Sequence, residues 1–145
     1  MHPSRPGNRL KPYLDAEPAL LVRKQVNSSF HGTPDLHAWL QARRASELVI
    51  AGITTHHCCE TTARVAGNLG YSVWFALDAT HTFDRTGPLG YRATANQLTA
   101  TTAVNLHREF ARVVNTEHVL VAMGADLGPQ TSDFPGASTG AGARG

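Results

Sequence analysis

Two continuously apolar runs flanking one helix-length segment constrain this chain more than any other feature. Glu47-Leu48-Val49-Ile50-Ala51-Gly52 has strand length and no polar alternation, the pattern of a parallel strand covered on both faces. Tyr71-Ser72-Val73-Trp74-Phe75-Ala76-Leu77, closed by Asp78, reads as the next strand. Between them residues 53–56 turn and residues 57–69 form a helix ended by Gly70. Strand, helix and strand in that order predict a βαβ unit and an α/β fold with a mostly parallel sheet. Right-handed crossovers then place ligand chemistry at the carboxyl ends of the strands.

The other segments fit the same alternation. Ala19-Leu20-Leu21-Val22-Arg23-Lys24 reads as a short buried strand, and Ser28 to Thr33 as a loop. Thr33-Pro34-Asp35 opens a helix that runs to about Arg44, with Thr33 as cap, Pro34 at the first helical position and Asp35 in the first turn. Residues 79–93 form a long loop containing Gly87, Pro88 and Gly90. Residues 94–110 carry helical periodicity through Leu98, Val104, Leu106 and Phe110. Val113-Val114 and Val119-Leu120-Val121 are short apolar pieces, candidates to end the sheet. Residues 1–17 are polar and read as a surface loop. Residues 124–145 are rich in Gly, Ala and Ser and read as a flexible tail behind a domain of residues 1–123.

Composition narrows the class. A chain of 145 residues is one domain. Charged residues make up 17%, with 13 basic against 11 acidic, so the chain is neither a disordered polyelectrolyte nor a densely basic nucleic-acid binder. No apolar run approaches the ~18 residues of a membrane span, and the opening Met1-His2-Pro3-Ser4-Arg5-Pro6-Gly7 lacks the apolar core of a secretory signal. Neither a nucleic-acid nor a membrane partner is expected. Cys58 and Cys59 are adjacent, so no disulfide framework is expected, and a reducing, cytoplasmic setting follows.

The chemistry concentrates in Gly52-Ile53-Thr54-Thr55-His56-His57-Cys58-Cys59-Glu60-Thr61-Thr62-Ala63-Arg64. A cysteine that follows a strand and a turn and opens a helix meets free amide donors and the positive end of the dipole. Those favour thiolate and can hold an oxyanion. The same position also suits a small buried apolar cysteine. Cys59 points ~100° away on a helix and reads as packing. A zinc site at His56-His57-Cys58-Cys59 is disfavoured, because consecutive ligands diverge on a helix start.

This segment resembles the isochorismatase-like cysteine hydrolases, which include nicotinamidases and N-carbamoylsarcosine amidohydrolases. The resemblance lies in Ala51-Gly52, a small apolar residue, a Thr-rich turn, Cys58 and Thr61-Thr62-Ala63-Arg64. Upstream, Lys24, Ser28, Phe30, Gly32 and Thr33 match the family's lysine, Ser/Asn-x-Phe and Gly-Thr positions. Asp78 to Arg85 and Glu109 to Val114 also resemble family stretches, so the likeness spans about residues 10–121.

The resemblance implies a three-layer α/β/α, Rossmann-like fold and a hydrolase acting on a small amide, carbamoyl or related substrate. Cys58 would be the nucleophile and Lys24 the triad lysine. A cis peptide between Ile53 and Thr54 would aim the Thr54 amide, with that of Cys58, at the oxyanion. Phe30, His57 and His81 would border the substrate pocket. No cofactor or metal is implied, and family members commonly form dimers or larger oligomers. Read from residues alone, Lys24 is a solvated strand-end lysine, Phe30 core packing and His81 an exposed loop residue. The family's triad aspartate sits on a first strand that lies before residue 1, so the chain is expected to be N-terminally truncated, with a partner-completed or inactive remnant as alternatives. Asp15, Asp35 and Asp84 sit on the wrong elements to replace it.

Overall fold

The computed structural model describes residues 17–125. Three parallel strands form the main sheet: β1 (Glu47–Ile53), β2 (Ser72–His81) and β5 (Arg112–Val114), with β2 in the centre. A small antiparallel ribbon, β3 (Arg85–Thr86) and β4 (Arg92–Ala93), projects between β2 and the next helix. The helices are α1 (Leu36–Ala42), α2 (Glu60–Asn68), α3 (Ala95–Leu106) and α4 (Thr116–Ala122). Among the described residues no helix is long and apolar enough to cross a membrane.

Alternation along β2 divides the layers. Val73 and Phe75 face Ala63 and Ala66 of α2 and Leu106 of α3, and these residues form the buried core. Trp74, one residue out of phase, meets His118 and Val121 of α4 on the other face. At its central strand β2 the sheet is thus flanked by helices on both faces, as the α/β alternation requires.

β1 departs from the sequence expectation. Its apolar run predicts burial on both faces, yet Val49 is 50% and Ile53 62% exposed. Only β2 pairs with β1 among the described residues, so its other edge is open. Leu48 and Ile50 pack on the core, while the opposite face lacks a cover. Apolarity recorded the need for burial, but burial requires neighbours that the described residues do not supply.

Ala19–Lys24 is no strand here; it makes one antiparallel bridge, Arg23 to Thr33, with two backbone bonds of 2.8 Å. The ladder stops because Ser29–His31 coils into a 3-10 turn on one side and Asp35 caps α1 on the other. Thr33 therefore cannot cap α1. Its backbone is committed to Arg23, and the Asp35 carboxylate accepts from the Ala38 amide instead, at 3.1 Å.

Gly32 is where the bridge closes: a Cβ there would lie 2.3 Å from Val22 Cγ1 and 2.8 Å from the Arg23 carbonyl oxygen. Gly32→Ala is accordingly expected to lower stability by ~1–3 kcal/mol through overpacking, read as a fall in urea midpoint at constant slope.

β2 continues past Asp78 to His81, and the expected loop beyond it contains the β3–β4 ribbon. The α3 helix stops at Leu106, four residues short of the expected end. The Leu106 carbonyl accepts the Glu109, Phe110 and Ala111 amides and the chain reverses at Arg108 (φ 67°). Val119 to Val121 lie in α4, not in the sheet, because Asn115 caps that helix by accepting from the His118 amide. The expected loop before residue 17 and the tail from residue 126 lie outside the described residues.

Candidate active site

The site is built where β1 hands over to α2. β1 and β2 run in register from Glu47↔Ser72 to Ile50↔Phe75, then shift, so that Gly52 pairs with Thr80 and Ile53 with His81. Gly52 adopts φ 129° at that irregularity, a conformation reserved for glycine. The Ile53–Thr54 peptide is cis. Thr55–Cys59 then winds as one π-helical turn, and the Thr54 carbonyl accepts the His57 and Cys59 amides at 3.2 Å each. Thr55 is fully buried and donates to Thr80 Oγ1 (2.9 Å), which donates to the Leu77 carbonyl (2.8 Å). The turn is therefore bolted to the bulged part of β2.

Cys58 is half-buried on this turn, with its Sγ 3.9 Å from Asn27 Oδ1. Lys24 approaches from the bridge segment. Its Nζ donates to the carbonyls of Val26 and Asn27, both at 2.9 Å. Asn27 thus links the lysine and the cysteine. Sequence reading missed it, since one polar residue in a polar stretch carries no periodic signal. The Ser29 amide donates to Thr62 Oγ1 at 3.1 Å and holds this segment against α2.

Lys24, Phe30, Leu40, Ile53 and Cys58 line a groove of about 460 Å³ that runs along the open edge of β1. Among the described residues no carboxylate lines it. Asp35 is spent on α1, and Asp84 Oδ1 accepts the Ala95 amide at the start of α3 (2.7 Å). Asp15 lies outside the described residues.

The pocket candidates separate. Phe30 lines the groove and also stacks against Tyr71, ring centroids 5.8 Å apart, so its packing and lining readings coexist. His57 turns away from the groove, stacked on His56 at 4.1 Å and touched by the Arg85 guanidinium at 3.4 Å. His81 faces a different cavity, of about 430 Å³, shared with Asp78, Asn96 and Asn115. Strand alternation at the end of β2 carries it there, which an unbroken loop over residues 79–93 could not reveal.

The neighbouring titratable groups differ sharply. Burial pushes the Cys59 thiol up to about 11, Cys58 adds to the rise and Lys24 opposes it. The burial contribution to stability is therefore whole below the unfolded thiol's ~8.5 and fades as pH climbs toward 11. Cys59 in the folded chain is expected to resist alkylation at pH ~9, where an unfolded thiol is largely thiolate; peptide mass spectrometry of folded against urea-unfolded protein reads this. His56 is held below the ordinary histidine value, first by burial, then by His57 and Arg85, with Glu60 pulling the other way. Its Nδ1 lies 2.7 Å from the buried Thr82 hydroxyl. Glu60 is itself occupied, by Arg64 at 2.8 Å and by the Thr102 hydroxyl at 2.7 Å.

Comparison with known proteins agrees with this architecture. A family description of the isochorismatase domain matches residues 1–118. An uncharacterised isochorismatase family protein of Bacillus subtilis, YrdC, is 34% identical over 123 residues, covering 82% of this chain and 64% of that protein. An isochorismatase-family structure from Chromobacterium violaceum is 41% identical, with a TM-score of 0.77, covering 84% of this chain and 63% of that one. A cysteine hydrolase from Pseudomonas syringae pv. phaseolicola is 27% identical, with a TM-score of 0.70, covering 75% of this chain and 52% of that one. The chain spans less than two thirds of the length of these relatives. With the parallel sheet, the flanking helices and the domain match in agreement, the chain belongs to the isochorismatase family.

Proposed function

We propose that this chain carries the nucleophile half of a cysteine hydrolase acting on a small amide, carbamoyl or related substrate. The observation that carries the reading is the meeting of Lys24 and Cys58, through Asn27, in one groove at the carboxyl end of β1. The Cys58 sulfur, as thiolate, forms a bond to the substrate carbonyl carbon. The oxyanion that results is held by the Thr54 and Cys58 amides. The C–N bond then breaks, the amine leaves with a proton, and water cleaves the thioester to return the thiol. Lys24 supplies positive charge beside the sulfur. Phe30, which lines the groove, borders the substrate, and the working form is a dimer or larger assembly.

The acid/base carboxylate is the component the described groove lacks. That observation favours a second reading, a module that binds a small ligand or partner without turnover. Ammonia release by the full chain, across a panel of small amides and carbamoyl compounds, separates the two. Release that is lost with Cys58 supports the hydrolase. Saturable binding with no release from any compound overturns it in favour of the binding module.

A further inference from the structure

The segment that brings Lys24 to the groove ends on a carboxamide aimed at the Cys58 sulfur. Among the described residues the thiol has one side-chain hydrogen-bond partner, Asn27 Oδ1, to which it donates at 3.9 Å. We infer that Asn27 is a positioning residue for the nucleophile. Its carboxamide accepts from the thiol and, turned over about its last bond, donates to the thiolate, so the sulfur stays aimed through a change of charge. The inference rests on Cys58 being the nucleophile, and it adds to the charge of Lys24 a neutral partner that follows the sulfur.

The backbone around residue 27 is pinned on both sides. Its own carbonyl accepts from Lys24 Nζ at 2.9 Å. The next residue, Ser28, is buried, and its hydroxyl accepts the Phe30 amide at 3.1 Å. The Ser29 amide then donates at 3.1 Å to Thr62 Oγ1 on α2, the helix that follows the Cys58 turn. Residue 27 is thereby held relative to both the lysine and the nucleophile. Only a short side chain spans the remaining gap, so few torsions are left to be fixed when it meets the sulfur.

A carboxamide suits an atom that gains and loses charge. It carries an acceptor oxygen and a donor NH₂, so it has a partner for thiol and for thiolate and brings no charge of its own. A carboxylate in its place would accept from the thiol and repel the thiolate. The other titratable groups around the sulfur leave this task open. Lys24 has two donors committed to main-chain carbonyls. Cys59 is buried, its thiol pushed up to about 11, and it stays protonated at neutral pH. On the turn, His57 faces Arg85, and on α2 Glu60 is bonded to Arg64 and Thr102. From α1 the groove takes the apolar Leu36 and Leu40.

The test requires no turnover. The full chain, as wild type, Asn27→Asp and Asn27→Ala, is alkylated with neutral iodoacetamide from pH ~5 to ~9, the range that brackets a free thiol. Peptide mass spectrometry resolves Cys58 from Cys59. In the reaction the sulfur bonds to the reagent's methylene carbon as iodide leaves. Asn27→Asp should displace the Cys58 pH profile upward by about one unit, a roughly tenfold slower rate at neutral pH, the scale of a like charge ~4 Å from the thiolate. Added salt should reverse part of that displacement. Asn27→Ala should slow Cys58 by about threefold to tenfold, the scale of one lost hydrogen bond. The Cys59 profile and the circular dichroism spectrum should not move in either variant. A Cys58 profile that is the same in all three proteins overturns the inference. A change at Cys58 that Cys59 shares also overturns it, since Asn27 would then be holding the fold and not the sulfur. Fast Cys58 alkylation indifferent to residue 27 would leave the nucleophile reading standing without Asn27. Cys58 alkylation no faster than in urea, yet displaced by Asn27→Asp, would keep Asn27 as the sulfur's partner while removing the nucleophile reading.

Discussion

Cys58→Ala is expected to reduce any hydrolysis by this chain by a factor on the order of 10³ or more, the scale on which a covalent nucleophile is lost. The same variant should leave no acyl adduct in a mass spectrum quenched during turnover. Cys58→Ser should be nearly as poor, because a hydroxyl is not ionised by the charge that favours a thiolate. Neither change should unfold the protein. Cys58 is half-buried and its sulfur has one polar neighbour, Asn27 Oδ1 at 3.9 Å. A melt within ~0.5 kcal/mol of wild type would separate lost chemistry from lost structure. Undiminished ammonia release from Cys58→Ala would end the proposed mechanism outright.

The largest expected change in stability lies at Phe75. It is 0% exposed on the central strand, packed among Ala63, Ala66 and Leu106 from two helices. Phe75→Ala removes most of a ring from a site whose walls are backbone-close alanines, which cannot swing inward. We expect a loss of ~3–5 kcal/mol, a large part of the 5–15 kcal/mol typical of whole domains. Urea unfolding followed by circular dichroism would show it as a sharply lower midpoint. Val49→Ala on the neighbouring strand is the control. At 50% exposure it should shift stability by no more than ~0.5 kcal/mol. A comparable loss at both positions would mean that the open face of β1 is covered in solution.

Legibility followed the physics of each element. α2, β2 and the Cys58 turn could be read because local pattern and tertiary role coincide there, β1 could be read as a strand but not in its burial, and Gly70 (φ 88°) ends the helix segment as its position implied. Patterning failed where a distant partner decides. Val119 to Val121 could equally be strand or helix, and the Asn115 cap settles it. Residues 19–24 look like a strand, but their one bridge is confined by a turn and a cap. At the site, Cys58 and Lys24 stood out through motif resemblance. Asn27 and Arg85 did not, since their contacts, Asn27 to Cys58 and Arg85 to His57, span 31 and 28 residues. No periodicity encodes such a contact.

The two carbonyl bonds to Lys24 Nζ have a meaning beyond holding a loop. An ammonium has three donors in tetrahedral array. With two fixed on the main chain, the third has little choice of direction, and the four-carbon stem has already lost its rotameric freedom during folding. Such a lysine behaves as a charge mounted on the backbone. Its ordering is settled before any ligand arrives, so an incoming molecule meets a field already set in place. Arginine at this position would bring a planar fork to a tetrahedral seat and is no conservative replacement.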